Sequence, residues 1–310
     1  MQYSNVIPGR FVSRPNRFLA QVKTADGVQT CHVKNTGRCA ELLLPGAPVW
    51  LQRFGTDAKR KTKFDLIAVQ KDALLLNIDS QAPNAAAREF LASGGLGWIP
   101  SVLRPEYTWG DSRFDFYLEH GGRRCLAEVK GVTLEEDGTA LFPDAPTLRG
   151  IKHLEGLSRA AAQGFACCVL FVVQFSPAAA FAPNRRTHPA FADALRAARD
   201  AGVRVLAYDC AVTPESMVLR APSPSQGFEN APPISVLPVP ASGRQKPRPQ
   251  RPFGRRGRGC FLSFILRRTR FFALRPFSAW YKAGCPGTGY TARRTHCCAW
   301  HRRPGSHRWG

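Results

Sequence analysis

Two carboxylates and a lysine near the middle of the chain have the types and spacing of a site that binds a metal and a phosphate group. Glu128, Val129 and Lys130 lie on a predicted strand, and Asp115 lies on the predicted strand before it. Alternate strand residues point to the same face, so Glu128 and Lys130 project together while Val129 enters the opposite side. Two neighbouring carboxylates can hold Mg²⁺. A lysine beside the metal could position or deprotonate an attacking water, or stabilise developing charge.

The position of Asp115 relative to Glu128 depends on the register of the two strands. Asp115 lies between Phe114 and Phe116. We expect the two phenylalanines to face one way and Asp115 the other, which would put Asp115 and Glu128 on one face. The same spacing also suits a solvated hairpin face with a salt bridge, because acidic residues and lysines are common on exposed strands.

Three further residues could join this cluster. Glu106 precedes the strand of Asp115 and is a candidate fourth member, as a metal ligand. Lys152 and His153 open the helix predicted after the two strands. The first turn of a helix offers free N–H groups and a positive dipole end, so both side chains are predicted to contact phosphate.

The elements around the cluster indicate an α/β domain. A helix from Asn84, as its cap, to Ala92 comes first. The other predicted elements are strands 112–119 and 124–134, helix 150–163, strand 165–175, helix 189–201 and strand 203–209. Strand 165–175 is almost continuously apolar, which is typical of a sheet centre covered on both faces. The alternation of strands and helices predicts right-handed crossovers and a parallel segment.

In the first eighty residues the pattern predicts short strands separated by turn residues. The strands are predicted at 18–23, 28–33, 48–54, 65–70 and 73–78, with a hairpin at Asp26-Gly27. This spacing, without a long helix, favours a small antiparallel barrel. The basic residues expected on one face of the barrel are Arg17, Lys34, Arg38, Arg53, Lys59, Arg60, Lys61 and Lys63. They could bind nucleic acid or simply be a solvated surface.

The net charge of +22 is unevenly distributed. Residues 222–310 contain 17 Lys and Arg and one acidic residue, whereas residues 1–221 contain 27 basic and 21 acidic residues. From Pro222 the chain loses periodicity and is predicted to be a disordered basic tail without a function of its own. Its aromatic and arginine-rich stretch 261–281 could bind a membrane surface or nucleic acid. Its Cys and His residues fit no regular zinc finger.

The composition of the remaining chain indicates a cytoplasmic protein. The longest apolar run there, Ala166 to Val173, is far shorter than the roughly 20 residues that cross a bilayer. Residues 1–17 lack a basic-then-apolar secretion signal. Cys167 and Cys168 are adjacent in an apolar strand, as reduced core cysteines are. We therefore expect no membrane contact and a reducing compartment.

Several motifs in residues 3–221, in order and without large gaps, resemble the sugar fermentation stimulation protein A family. The motifs are Arg17-Phe18-Leu19-Ala20, His32-Val33-Lys34-Asn35-Thr36-Gly37-Arg38, Lys59-Arg60-Lys61-Thr62, Ser112-Arg113-Phe114-Asp115-Phe116, Glu128-Val129-Lys130-Gly131-Val132-Thr133-Leu134, Phe142-Pro143-Asp144-Ala145 and Arg149-Gly150-Ile151-Lys152-His153-Leu154. The resemblance implies an OB-like barrel at 1–81, a restriction-endonuclease-like PD-(D/E)xK domain at 82–221, and DNA binding. The fold class is then α/β, or α+β for the whole chain. The tail has no counterpart in the family.

The resemblance gives the acidic cluster a role. It puts Asp115, Glu128 and Lys130 in the metal site, with Glu106 as a possible partner. It puts residues 35–38 in a signature turn of the barrel, where turn chemistry and phosphate binding are equally open. The residues predicted to contact nucleic acid are Arg17, Asn35, Thr36, Arg38, Lys59, Arg60, Lys61, Arg113, Lys152 and His153.

These observations support two compatible functions. The first is DNA binding with little sequence specificity, linked by the resemblance to regulation of sugar (maltose-type) utilisation. The second is a nuclease that uses Mg²⁺ to hydrolyse phosphodiester bonds at Asp115, Glu128 and Lys130. No helix-turn-helix is apparent, so sequence-specific readout of the major groove is poorly supported. The oligomeric state stays open, with a homodimer as one possibility.

Overall fold

A computed structural model describes residues 1–35, 37, 39–55, 60–220 and 235–236 of the chain. Thr36, Arg38 and Lys59, three of the predicted nucleic-acid contacts, lie outside the described residues. So does the tail, except for residues 235 and 236, which form a short strand. The predictions of disorder and of an irregular Cys and His cluster in the tail therefore lie outside the described part of the chain.

The N-terminal strands close into an OB-like barrel, as predicted. They are β1 (Val6–Asn16), β2 (Leu19–Thr24), β3 (Gly27–His32), β4 (Pro48–Arg53), β5 (Phe64–Lys71) and β6 (Leu74–Asn77). Neighbours are antiparallel, and a short parallel pairing of β3 with β5 closes the barrel. The sequence pattern does not predict β1, since Pro8, Gly9 and Pro15 interrupt it. The strand nevertheless pairs with both β2 and β4.

The following domain is α/β, as predicted. Its elements are α1 (Ala82–Ala92), β7 (Val102–Trp109), β8 (Ser112–His120), β9 (Arg123–Val132), β10 (Leu134–Glu136), β11 (Thr139–Phe142), α2 (Leu148–Ala161), β12 (Ala166–Val173), β13 (Ala180–Pro183), α3 (Pro189–Asp200), β14 (Arg204–Thr213), β15 (Ser216–Leu219) and β16 (Ser235–Val236). The main sheet has the order β15-β14-β12-β9-β8-β7, and β12 is parallel to both β9 and β14. The smaller sheet has the order β10-β11-β13-β16.

Strand β12 is the buried centre of the main sheet, as its apolar sequence predicts. Its side chains alternate between two clusters, one with α1 and the other with α2 and α3. Cys167 and Cys168 follow this alternation, since each is buried in a different cluster. Both cysteines are free thiols. The sheet is therefore covered on both faces.

Helix α1 begins differently from the prediction. Its N-cap is Gln81, with no side-chain cap, and Pro83 lies in the first turn. Asn84 is therefore inside the helix and does not cap it. Proline suits a first turn because the missing N–H has no partner there in any case. The side chain of Asn84 is free to contact β8 instead.

Buried polar residues join the barrel to the α/β domain. The Lys34 Nζ lies 2.6 Å from Asp79 Oδ2 and 3.2 Å from Asp65 Oδ2, and both aspartates are buried. The Gln174 amide at the end of β12 donates to the backbone carbonyls of Asn77 and Asp79. Lys34 is thus part of a buried network and does not belong to the exposed basic face expected for the barrel.

Among the residues described, no helix is long and apolar enough to cross a membrane.

Candidate active site

The strands β8 and β9 separate where Asp115 lies. Their pairing ends at Phe116 opposite Ala127. Phe114 packs in the cluster on the α2 face, and Phe116 packs in the cluster on the α1 face. The expectation that both phenylalanines face one way is therefore wrong, because β8 is irregular at Asp115. On the adjacent β7, Glu106 has a positive φ of 53°, a further irregularity at this level of the sheet.

The Asp115 carboxylate lies in the gap between the strands and is held from two sides. Its Oδ2 accepts a hydrogen bond from the Val129 N–H at 2.7 Å, and its Oδ1 accepts one from Asn84 Nδ2 at 2.8 Å. Burial and the neighbouring charge of Glu128 raise the pKa of Asp115 above its ordinary value. Asp115 and Glu128 are therefore close enough for their charges to repel each other, and their role as a metal site stays a prediction.

Glu128 is buried, with a 2% exposed side chain, and its two oxygens differ. The Oε1 atom forms an ion pair with Lys130 Nζ and a hydrogen bond with His153 Nδ1. The Oε2 atom is buried and has no hydrogen-bond partner in the part of the chain that the structure describes. Burial alone would raise the pKa of Glu128, but the contacts with His153 and Lys130 lower it below its ordinary value. The carboxylate is therefore held in its ionised form with one oxygen unused.

This donor set fits a divalent cation. Buried carboxylate oxygens are almost always hydrogen-bonded or bound to a metal, so an unpartnered Oε2 needs an explanation. Asp115 supplies a second carboxylate, and oxygen atoms are the ligands of Mg²⁺ and Ca²⁺. Within the described ranges, no three His, Cys, Asp or Glu side chains are grouped for metal binding. The protein ligands of such a cation would therefore be Asp115 and Glu128.

Glu106 is not brought into this pair. Its side chain is 69% exposed and lies 3.6 Å from the Arg113 guanidinium. The positive φ of Glu106 is unusual for a residue that is not glycine. Its role as a further metal ligand stays a prediction that this arrangement does not favour.

Comparison with known proteins assigns the chain to a family. The family described as "Sugar fermentation stimulation protein RE domain" matches residues 81–216, and the one described as "SfsA N-terminal OB domain" matches residues 12–78. The chain belongs to the sugar fermentation stimulation protein family. A homolog from Desulfitobacterium hafniense is 52% identical over 217 residues, which are 70% of this chain and 94% of that protein. A homolog from Clostridium beijerinckii is 44% identical over 220 residues, covering 71% and 97%.

A solved structure of the same family has the same fold. It is described as the structure of Pyrococcus furiosus SfsA in complex with Ca²⁺. The TM-score is 0.65 at 24% sequence identity, over 76% of this chain and 98% of that one. The likeness supports the order of an OB barrel followed by a sheet-rich α/β domain in this member of the family.

Three of the described lysines and arginines predicted to contact DNA are paired with acidic neighbours. Arg113 lies beside Glu106, and Lys152 lies 3.4 Å from Asp111 Oδ2. Arg60 forms an ion pair with the buried Asp65 and lies over the Phe54 ring. Exposed ion pairs are weak and can exchange partners. Arg60, by contrast, helps to neutralise a buried charge. Lys61 is exposed, and so is Arg17, whose guanidinium lies 4.7 Å from the centre of the Phe18 ring.

The described part of the signature turn shows turn chemistry. The Asn35 side-chain oxygen accepts a hydrogen bond from the Gly37 N–H at 2.8 Å. The Arg14 guanidinium donates to the carbonyls of Asn35 and Gly37. Asn35 therefore stabilises the turn, and its contact with phosphate stays a prediction.

His153 lies in a different place from the one expected. Helix α2 begins at Leu148, after the N-cap Thr147, so His153 is in its second turn. The side chain is 8% exposed and contacts Glu128, with its ring edge-on to Phe114. A side chain buried in this way does not reach a phosphate on the surface. His153 belongs to the support of the acidic cluster.

Two residues of the site are absent from the sequence prediction. Asn84 donates to Asp115, and the Arg149 Nε donates to His153 Nε2 at 3.4 Å. The sequence contains a feature that could have identified each residue. Asparagine is unfavourable inside a helix and therefore needs a reason to be there. Arg149 and His153 are four residues apart on α2, which places them on one face.

Proposed function

We propose that this protein binds DNA with little sequence specificity and hydrolyses phosphodiester bonds at Asp115, Glu128 and Lys130 with a divalent cation. The observation that carries the proposal is the buried Oε2 of Glu128, which lacks a hydrogen-bond partner among the described residues and lies near a second carboxylate, that of Asp115. The Pyrococcus furiosus relative was solved with Ca²⁺, which has the same preference for oxygen ligands as Mg²⁺. The sugar-utilisation phenotype in the family's name has no counterpart in the chemistry of these residues.

In this proposal Asp115 and Glu128 hold the cation, and Lys130 acts on the reacting phosphate. A bound Mg²⁺ would polarise the phosphate and lower the pKa of a water ligand. Lys130 is held on the same face as Glu128 by their ion pair. Its ammonium group could stabilise the charge that develops on the phosphate oxygens. Asn84 and the Val129 N–H keep Asp115 in place without occupying all of its lone pairs.

The DNA-binding part of the proposal is supported by charge. Residues 1–221 have a small excess of basic residues, and the exposed Arg17 and Lys61 are on the barrel. The exposed ion pairs of Arg113 and Lys152 lie on β8 and α2, the elements that also carry Asp115 and His153. A phosphate can compete for such exposed arginines and lysines, giving contacts that do not depend on sequence. We propose the cytoplasm as the place of action.

The test is a cleavage assay on the full chain with Glu128→Gln. Wild type is expected to cut plasmid or single-stranded DNA with Mg²⁺ or Mn²⁺ and to lose this activity with a chelator. Glu128→Gln should reduce the rate by at least about 100-fold because the amide is a poor metal ligand. DNA affinity is measured for both proteins and should fall steeply with salt. Both carry the same basic tail, so the tail does not affect the comparison.

Glu155→Gln is the matched control, because Glu155 is exposed on α2 and undergoes the same chemical change. It should cleave like wild type. Equal inactivity of wild type and Glu128→Gln over a range of DNA substrates would refute the nuclease part of the proposal. DNA affinity that does not change with salt would refute the binding part.

A further inference from the structure

We infer that Arg149 and His153 form a positioning relay that fixes the Glu128 carboxylate and directs its Oε2 to the metal. The inference rests on the proposed function, since it concerns the same cation site. The relay runs from an exposed arginine on α2, through a buried histidine, to a buried glutamate on β9. In this role His153 acts through Glu128 and does not touch the substrate.

The hydrogen bonds determine which nitrogen of His153 carries the proton. The Arg149 Nε–H can only donate, so His153 Nε2 accepts from it at 3.4 Å. A ring that accepts at Nε2 carries its proton on Nδ1, which donates to Glu128 Oε1. Arg149 thereby selects the tautomer that can hold the glutamate. This is the role that second-shell partners of metal ligands commonly have.

The same contacts explain why only one oxygen of Glu128 is unused. Lys130 and His153 both bind Oε1, and together they prevent the carboxylate from rotating about its last bond. No other described residue donates a hydrogen bond to Oε2. Because Oε1 is hydrogen-bonded and Oε2 is available, the carboxylate can bind a metal ion through one oxygen. Its orientation is set before any cation arrives.

Close packing of α2 against β8 fixes the position of His153 beside Glu128. Helix α2 approaches β8 closely at Gly156, where an added Cβ would lie 3.0 Å from the Phe114 ring and 3.1 Å from Ser112 Oγ. The Phe114 ring packs edge-on against the His153 ring, with 6.0 Å between their centres. The irregularity at Asp115 turns Phe114 toward α2. The same irregularity of β8 therefore places Asp115 beside Val129 and Phe114 against His153.

The test compares His153→Phe with His153→Asn in a titration of Mn²⁺ into the full chain, followed by calorimetry. Phenylalanine keeps a ring against Phe114 and removes the donor to Glu128. Asparagine places an amide N–H close to the position of Nδ1 and keeps the donor. His153→Phe should weaken Mn²⁺ binding by about 10- to 100-fold, as loss of second-shell partners does, and His153→Asn should largely restore it. DNA affinity without metal should be unchanged in both.

Arg149→Met tests the relay at an exposed position, where folding is not at risk. It should weaken Mn²⁺ binding by a smaller factor than His153→Phe, because His153 can still adopt the useful tautomer part of the time. If wild type binds Mn²⁺ and His153→Phe binds it equally well, the inference is overturned while the proposed function stands. If wild type binds no Mn²⁺, the cation site of the proposed function fails, and the relay fails with it. Equal losses in His153→Phe and His153→Asn would also overturn the relay.

Discussion

Gly131 follows Lys130 directly, and its lack of a side chain allows the site strand to lie close to the neighbouring elements. An added Cβ would lie 2.5 Å from Gln174 Oε1 and 2.7 Å from Pro83 Cγ. Pro83 is in the first turn of α1, and the Gln174 amide is held by the carbonyls of Asn77 and Asp79. Neither neighbour can move without disturbing a buried contact. Packing therefore requires glycine at position 131.

We predict that Gly131→Ala destabilises the protein by about 1 to 3 kcal/mol, the usual cost of overpacking. The free energy of unfolding in urea measures the change. Gly55→Ala is the control, because no atom of the described residues lies within 4 Å of an added Cβ there. That substitution should be neutral or raise stability by a few tenths of a kcal/mol, since alanine restricts the unfolded chain. Equal stabilities of the two variants would contradict the packing argument.

At the scale of elements, an ion pair joins β5 of the barrel to β10 of the α/β domain. The Lys71 Nζ lies 2.5 Å from Glu135 Oε2, and the Gly138 N–H donates to Glu135 Oε1 at 2.7 Å. The contact with Lys71 lowers the pKa of Glu135 below its ordinary value. The glutamate is only 10% exposed, whereas the lysine is 28% exposed. Water therefore weakens the pair only partly.

We predict that Glu135→Gln lowers the free energy of unfolding by about 0.5 to 1 kcal/mol at pH 7. A carboxylate with a lowered folded-state pKa stabilises the fold above its ordinary pKa of about 4.3. That contribution is lost as the pH falls through the folded-state value. The difference between wild type and Glu135→Gln should thus shrink as urea unfolding is repeated from pH 7 toward pH 3.5. Glu136→Gln, whose pair with Arg186 is more exposed, should have a smaller effect. A difference independent of pH would contradict this account.

The elements differ in how well their sequences predict them. The apolar run of β12 and the turn at residues 121–122 are strong local signals, and the structure has a buried strand and a β-hairpin there. Strand β1 is stabilised by pairing with β2 and β4, which no local pattern reports. The irregularity at Asp115 likewise depends on Val129 and Asn84. Sequence therefore predicts that Asp115 and Glu128 are neighbours, but it does not predict the separation of β8 from β9 at Asp115.

At the scale of the whole molecule, a buried charge network lies in the barrel at its junction with the α/β domain. Asp65 on β5 and Asp79 after β6 are both buried, and Lys34 lies between them. Arg60 also pairs with Asp65, so that carboxylate has a second cation. Asp79 depends more on Lys34, because its other side-chain contacts come from the Tyr3 hydroxyl and the Gln81 N–H. Lys34 thus compensates the charge of Asp79 at the domain junction.

We predict that Lys34→Met lowers the free energy of unfolding by about 3 to 5 kcal/mol, because it leaves a buried carboxylate without its cation. The double variant Lys34→Met and Asp79→Asn tests whether the uncompensated charge of Asp79 is the cause. It removes both charges and should recover part of the lost free energy of unfolding. Lys61→Met, at an exposed lysine of the same barrel, should change stability by less than about 0.5 kcal/mol. Urea unfolding compares all four proteins. A loss below about 1 kcal/mol for Lys34→Met, or no recovery in the double variant, would mean that water already compensates Asp79. The domain junction would then depend on the Gln174 hydrogen bonds and not on charge.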